Sequence, residues 1–166
     1  MRLLIIATLL LALSSFVQAQ NQKIAYVESE SIVPSMPEYK KAQSELQAYA
    51  KQLEKVLQQK KGALERDYTA VMDSIQKGLM TPIQQQKAEQ RIQKGQQDLQ
   101  QEALQAEQRV AKKEGALIEP LYEKFNDALE AVARAEGYTY IVDKKFMLYS
   151  VGGIDATPKV KAKLGI

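Results

Sequence analysis

"TPIQQQKAEQRIQKGQQDLQQ", Thr81 to Gln101, is the stretch on which the fold turns. Thr81 is a good helix N-cap, Pro82 suits the first helical position, and no further proline comes before Pro120. A helix is therefore predicted. Its large apolar residues are only Ile83, Ile92 and Leu99, and nine of its residues are Gln. A helix of a compact globule buries a broad apolar stripe. This one has barely a seam, so it must run largely through water against a single neighbour.

The neighbour lies upstream. Tyr39, Ala42, Leu46, Tyr49, Leu53 and Val56 step alternately by three and four, and Leu57, Leu64, Tyr68, Val71, Ile75 and Leu79 continue after one shift of register. That is coiled-coil spacing over about five heptads. Gly78 is a good stop, and Glu38 to Lys77 would span roughly 60 Å. After the turn Gly78 to Pro82 the second helix is predicted to reach Gly137. Its seam is sparse at Ile83, Ala88, Ile92, Leu99, Ala103, Ala106 and Val110, and richer at Leu117, Leu121, Phe125, Ala128 and Val132.

A short turn between two long helices predicts an antiparallel hairpin. Folded about Met80, residues whose numbers add to about 160 face each other: Tyr68 and Ile92, Leu57 and Ala103, Tyr39 and Leu121. Pro37 and Pro120 then fall at one level. A proline within a helix removes a hydrogen bond and bends the chain, so these two are the candidate hinge. Apolar density is expected to fall steadily from that level to the tip, residues 76–84.

The two ends of the chain read differently. Residues 1–19, "MRLLIIATLLLALSSFVQA", have a positive start, an apolar run and small residues before the expected cleavage after Ala19. The apolar run is too short for a membrane span of about 20 residues. A secreted chain is expected. "KIAYVES", Lys23 to Ser29, reads as a strand, followed by a helical turn that Pro34 and Pro37 interrupt. Tyr138 to Val142 and Phe146 to Val151 read as two strands of a β-hairpin around Asp143-Lys144-Lys145. In "DATPKVKAKLGI" Thr157 is the expected N-cap of a last helix carrying Val160 and Leu164.

The expected fold class is α+β, a long antiparallel helical hairpin on a small β body. The body comprises residues 20–37 and 120–166, the hairpin residues 38–119. Three short strands are marginal alone, and their edges invite pairing, so copies are expected to associate through them.

Composition excludes much chemistry. The chain has no Cys, no His and no Trp, and a formal charge of +3. No Ser-His-Asp, Cys-His or His-metal site can be built, and there is no disulfide framework. No phosphate-binding GxxxxGK[ST] loop is present. The mild charge does not call for nucleic acid. Asp143 and Asp155 stand where a turn and a helix start need local hydrogen bonding, so neither is assigned to catalysis. No enzyme, cofactor or metal is expected.

The order of parts resembles the Skp/OmpH family of periplasmic chaperones. The strand "KIAYVESESIV", the helix entry "MPEYKKAQSEL", the segment "GYTYIVDKKFMLYS" and the closing "DATPKVKAKLG" carry the likeness over nearly all of the chain after the leader. The resemblance implies a homotrimer whose strands form a β body and whose hairpins hang as tentacles around a cavity. It implies clients that are unfolded outer-membrane proteins, held without ATP, with weak membrane-surface or lipid contact besides. Family members can carry strongly basic tips. Here Lys77, Lys87, Arg91 and Lys94 mix with Asp73, Glu89 and Asp98.

The expected oligomer body is Ile24, Tyr26, Val27, Tyr140, Ile141, Val142, Phe146 and Leu148. The expected client contacts along wall and tip are Tyr68, Val71, Met72, Ile75, Leu79, Met80, Ile83, Ile92 and Leu99. For these the plain alternative is packing within the hairpin. Gly95 is read as a flexible point or as tolerated drift in an exposed helix. A coiled-coil spacer or adaptor is the rival function, but a spacer needs a strong seam throughout, and this one fades.

Overall fold

The computed structural model describes residues 22–166; the expected leader, residues 1–19, lies outside them. The chain divides into two compact units. Residues 30–126 form one, and the segment ending at residue 29 forms the other together with residues 127–165. The sequence placed the division after residue 37 and before residue 120.

The larger unit is the hairpin. A helical turn α1 (Ser29–Ile32) runs into a 3-10 turn at Val33–Ser35, where the Ser35 hydroxyl donates to the Ile32 carbonyl at 2.7 Å. Then come α2 (Pro37–Gln76), 40 residues, and α3 (Pro82–Glu136), 55 residues. Each opens on a proline, whose missing N–H costs nothing in a first turn. Gly78 takes φ 67° at the end of α2, a conformation that favours glycine. Thr81 and Gln84 bond reciprocally: the Thr81 N–H donates to Gln84 Oε1 at 2.8 Å, and the Gln84 N–H to Thr81 Oγ1 at 3.3 Å. That capping box closes the turn. Pro120 sits inside α3, and the helix runs unbroken through it.

The hairpin folds about Met80 as expected. Ion pairs join Glu38 to Lys124, Glu45 to Lys113, Lys60 to Glu102 and Asp67 to Arg91, and each pair's numbers add to about 160. The seam corrects the expected steady thinning. On α2 only Ala42 and Val71 are fully buried, leaving a long middle without a core residue. Near the tip it closes again: Val71, Ala88 and Ile92 form a small core, with Ile75 and Met80 packed on it. The cause is side-chain size. Ala88 on α3 lets the helices approach where Val71 and Ile92 supply bulk.

Gly95 has a packing reason. A Cβ there would lie 2.7 Å from Leu64 Cδ1 of the facing helix, so the glycine is the seat of Leu64 rather than a flexible point. In the parent, Gly95→Ala should change stability little, because about 1 kcal/mol of helix propensity is offset by displacing Leu64. In a Leu64→Ala background the same change should stabilise by about 1 kcal/mol. Urea unfolding of the four proteins decides; equal effects in both backgrounds would remove the explanation.

The smaller unit holds the sheet. β1 (Ile24–Val27) lies between β2 (Tyr140–Asp143) and β3 (Ile154–Asp155), and both pairings are parallel. The expected antiparallel hairpin of Tyr138–Val142 with Phe146–Val151 is therefore corrected. Asp143 ends β2 by accepting the Lys145 N–H at 3.1 Å, and the chain turns as a 3-10 helix, Lys144–Phe146. It returns on the far side of β1 through Gly152, at φ 82°, and Gly153, where a Cβ would stand 3.2 Å from the Tyr26 ring. A crossover of this kind is what parallel strands require. It leaves Phe146 to Val151 without strand partners.

Thr157 is likewise not the cap of α4 (Thr157–Leu164) but its first residue. Asp155 accepts the Thr157 N–H at 2.8 Å, and the buried Thr157 hydroxyl accepts the Glu28 N–H at 3.0 Å. Ala25, Val27, Ala128, Val132, Tyr138 and Val160 are buried in this unit. Among the described residues no helix is long and apolar enough to cross a membrane.

Candidate functional site

The hairpin presents two kinds of surface. One is a set of exposed apolar side chains near the tip. Tyr68 is 50% exposed, Met72 47%, Leu79 71% and Ile83 68%. They escape the seam because two helices can bury only the side chains that face each other, and these stand off that line. The other expected contacts lie elsewhere: Val71 and Ile92 are buried in the small core, while Ile75, Met80 and Leu99 are half-buried. The candidate client surface thus narrows to the four exposed residues and the troughs beside them.

Two apolar troughs run between α2 and α3. The first, of about 380 Å³, is lined by Leu64, Tyr68, Ile92 and Leu99, with Lys61, Glu65, Thr69 and Gln96 around them. The second, of about 420 Å³, lies where the seam has no core residue on α2, over Leu53, Leu57, Ala103, Ala106 and Val110. The Gln-rich face of α3 is mostly exposed, from Gln84 to Gln101. Its amides offer donor and acceptor in one flexible side chain.

Charge holds the helices in register. Arg91 grips Asp67 through two bonds, Nε to Oδ2 at 2.9 Å and Nη2 to Oδ1 at 2.8 Å. The hydrogen bond from Arg91 holds the Asp67 carboxyl below its usual range and raises the guanidinium. Bonds from Lys124 and Lys113, at 2.5 and 2.6 Å, lower Glu38 and Glu45 in the same way. A carboxylate lowered in the folded state stabilises fully above its unfolded pKa and ceases to as pH falls through its folded value. The melting temperature of the hairpin should therefore hold down to about pH 4.5 and fall below about pH 4, the ordinary carboxylate range. Circular dichroism melts from neutral to acid check this, and a melting temperature flat into acid would refute it. The pairs are exposed, so the loss should shrink in high salt.

In the smaller unit, Ile24 is 49% exposed, Tyr140 54% and Val142 36%, and the parallel register places Ile24 beside Tyr140 and Tyr26 beside Val142. The opposite face of β1, Ala25 and Val27, is buried. Phe146 is 74% exposed, Leu148 fully so, and Tyr149 and Val151 nearly 80%. Tyr149 and Val151 are not among the expected body residues, although they lie in the same segment as Phe146 and Leu148. Ile141 is half-buried. Asp143 receives the Ser29 hydroxyl and, like Asp155, serves the backbone. Among the described residues no group of three or more His, Cys, Asp or Glu could hold a metal ion.

These features can be set beside known proteins. No curated protein matches the chain significantly in sequence. A crystal structure of a candidate outer membrane chaperone (OmpH-like) from Caulobacter crescentus has the same fold, with a TM-score of 0.74 at 18% identity, over 85% of this chain and 82% of that one. The family described as outer membrane protein (OmpH-like) matches residues 23–164. The chain has a long helical hairpin and a small parallel sheet, and the family match runs over nearly all of the described residues, so the chain belongs to the OmpH-like family.

Proposed function

We propose that this protein is an ATP-independent periplasmic holdase, acting as a homotrimer on unfolded outer-membrane proteins. The observation that carries the reading is the exposed apolar set Tyr68, Met72, Leu79 and Ile83 near the end of a helical hairpin whose first long helix fully buries only Ala42 and Val71. A few side chains of this kind, short of a large apolar patch, touch many sequences weakly without driving self-aggregation. Met72 adds an adaptable contact. Weak contacts release without fuel, and the client's gain on folding into a membrane drives handover. Weak membrane-surface or lipid contact at the tip belongs to the same reading.

The test is light scattering of an unfolded outer-membrane protein diluted from urea, without nucleotide. The protein should suppress aggregation in proportion to its amount. Replacing the four tip residues with Ser should abolish most of that while the helical signal persists. Aggregation unaffected by the parent protein would overturn the reading in favour of a spacer.

Pro37 and Pro120 complete the proposal as a hinge of the hairpin. Pro120 leaves the Ala116 carbonyl without its helical donor, so bending there costs least. Pro120→Ala should narrow the distance distribution between spin labels at Ser74 of different copies. Equal widths, with and without client, would make the proline a fixed feature.

A further inference from the structure

The trough in the middle of the hairpin has a charge pattern that holding apolar chains does not require. Its floor is Leu53 and Leu57 of α2 and Val110 of α3, with Ala103 and Ala106 leaving it open. Three carboxylates line it, Glu54, Glu107 and Glu114, and no lysine or arginine does. Elsewhere in the hairpin, carboxylates facing the other helix are met by cations, as at Glu38, Glu45, Asp67 and Glu102. No ion pair among the described residues engages Glu54, Glu107 or Glu114. The trough nearer the tip differs. There Lys61 stands 3.9 Å from Glu65, and both line it, so it carries no net preference.

We propose that the middle trough selects extended client segments in which a lysine or arginine stands among apolar residues. The inference rests on the holdase reading and names which client segments this part of the hairpin takes. Ala103 to Glu114 spans about 17 Å of helix. An extended chain covers that with about five residues, and alternate side chains point the same way. Apolar ones then meet Leu53, Leu57 and Val110 while neighbouring cations reach the three carboxylates at the edge. The exposed carboxylates act in high dielectric, with Lys51, Lys55 and Lys112 on the same helices outside the lining, so the preference is modest and screened by salt.

The test uses the full-length assembled protein and three labelled peptides of about ten residues, since about five span the trough. All three alternate Leu and Ser; one carries two Lys, one two Glu, one no charge. Fluorescence anisotropy at low salt should show the Lys peptide bound about fivefold more tightly than the Glu peptide, falling toward equality in high salt. The triple variant Glu54→Gln, Glu107→Gln, Glu114→Gln should lose the preference and keep its affinity for the uncharged peptide. Equal binding of the charged peptides to the parent, or a preference that survives in the triple variant, overturns the proposal. A change of oligomer mass in the triple variant would assign the trough to a contact between copies and overturn it too. Aggregation suppression separates the two readings. Suppression without peptide preference leaves the holdase and removes this inference, whereas preference without suppression removes the holdase and keeps the trough as a binding site.

Discussion

Replacing Ile24 with Asp should leave a helical protein that no longer assembles. Ile24 is on the central strand, yet 49% of it faces out, beside Tyr140 on the same face of the sheet. A side chain half-exposed in one copy contributes little to that copy's own core. The same small unit also exposes Tyr140, Val142, Phe146, Leu148, Tyr149 and Val151. Surface of that kind on a sheet with open edges is a place for another copy. Burying one such side chain contributes about 1.5–3 kcal/mol, and burying an unpaired carboxylate costs more than that gain. Across several copies, affinity should fall by well over a hundredfold. Static light scattering should show a monomer for Ile24→Asp and an assembly for the parent. Leu148→Asp is the cleaner companion, since Leu148 is fully exposed and has no packing within its own copy to lose. A parent that is a stable folded monomer, or a Leu148→Asp protein that assembles normally, would sink the idea.

Much of this was legible from a few residues. Thr81, Pro82 and Gly78 set the turn because caps and a left-handed glycine are local chemistry, readable without a partner. The three-four spacing from Tyr39 to Val71 set the helix pairing, and the turn set its register. The sheet was not legible. "YIVDKKFMLYSV" has the composition of two strands, but composition does not say which strand a segment will join. Asp143 used its carboxylate to cap a 3-10 turn, and β1 received partners on both sides. The register sets Gly95 near Leu64, but the sequence could not show that the glycine makes room for that side chain, because close approach of helices depends on both partners at once. The candidate client residues divided for the same reason. Val71 and Ile92 fit the period and are buried, while Tyr68 and Leu79 fit it and are exposed. Periodicity names a stripe, and the shift of register within α2 decides which side of the stripe meets the other helix.

The uneven seam has a dynamic consequence, opposite at the tip to what fading apolarity suggests. Amides of residues 71–76 and 84–92 should exchange more slowly than those of residues 50–64 and 96–107. The tip has Val71, Ala88 and Ile92 buried, the Thr81–Gln84 box closing the turn, and the Asp67–Arg91 pair just behind. The middle has no fully buried residue on α2 and is spanned by the exposed Lys60–Glu102 pair. Local opening is governed by how many buried contacts must break. Two buried aliphatic side chains are worth about 3 kcal/mol or more, which is a difference in exchange rate of about a hundredfold. Ile92→Ala, which leaves a cavity costing about 2–5 kcal/mol, should erase the difference and free the tip while leaving the sheet amides of Ile24 to Val27 protected. On the holdase reading proposed above, the closed tip also matters for capture. A closed tip holds Leu79 and Ile83 outward at 71% and 68% exposure, where a client can reach them. A frayed tip would fold them inward against each other. Under that reading Ile92→Ala should weaken client capture through loss of the tip core. Hydrogen exchange by mass spectrometry decides the first part, and protection that declines smoothly from residue 43 to the turn would show that the tip core contributes nothing.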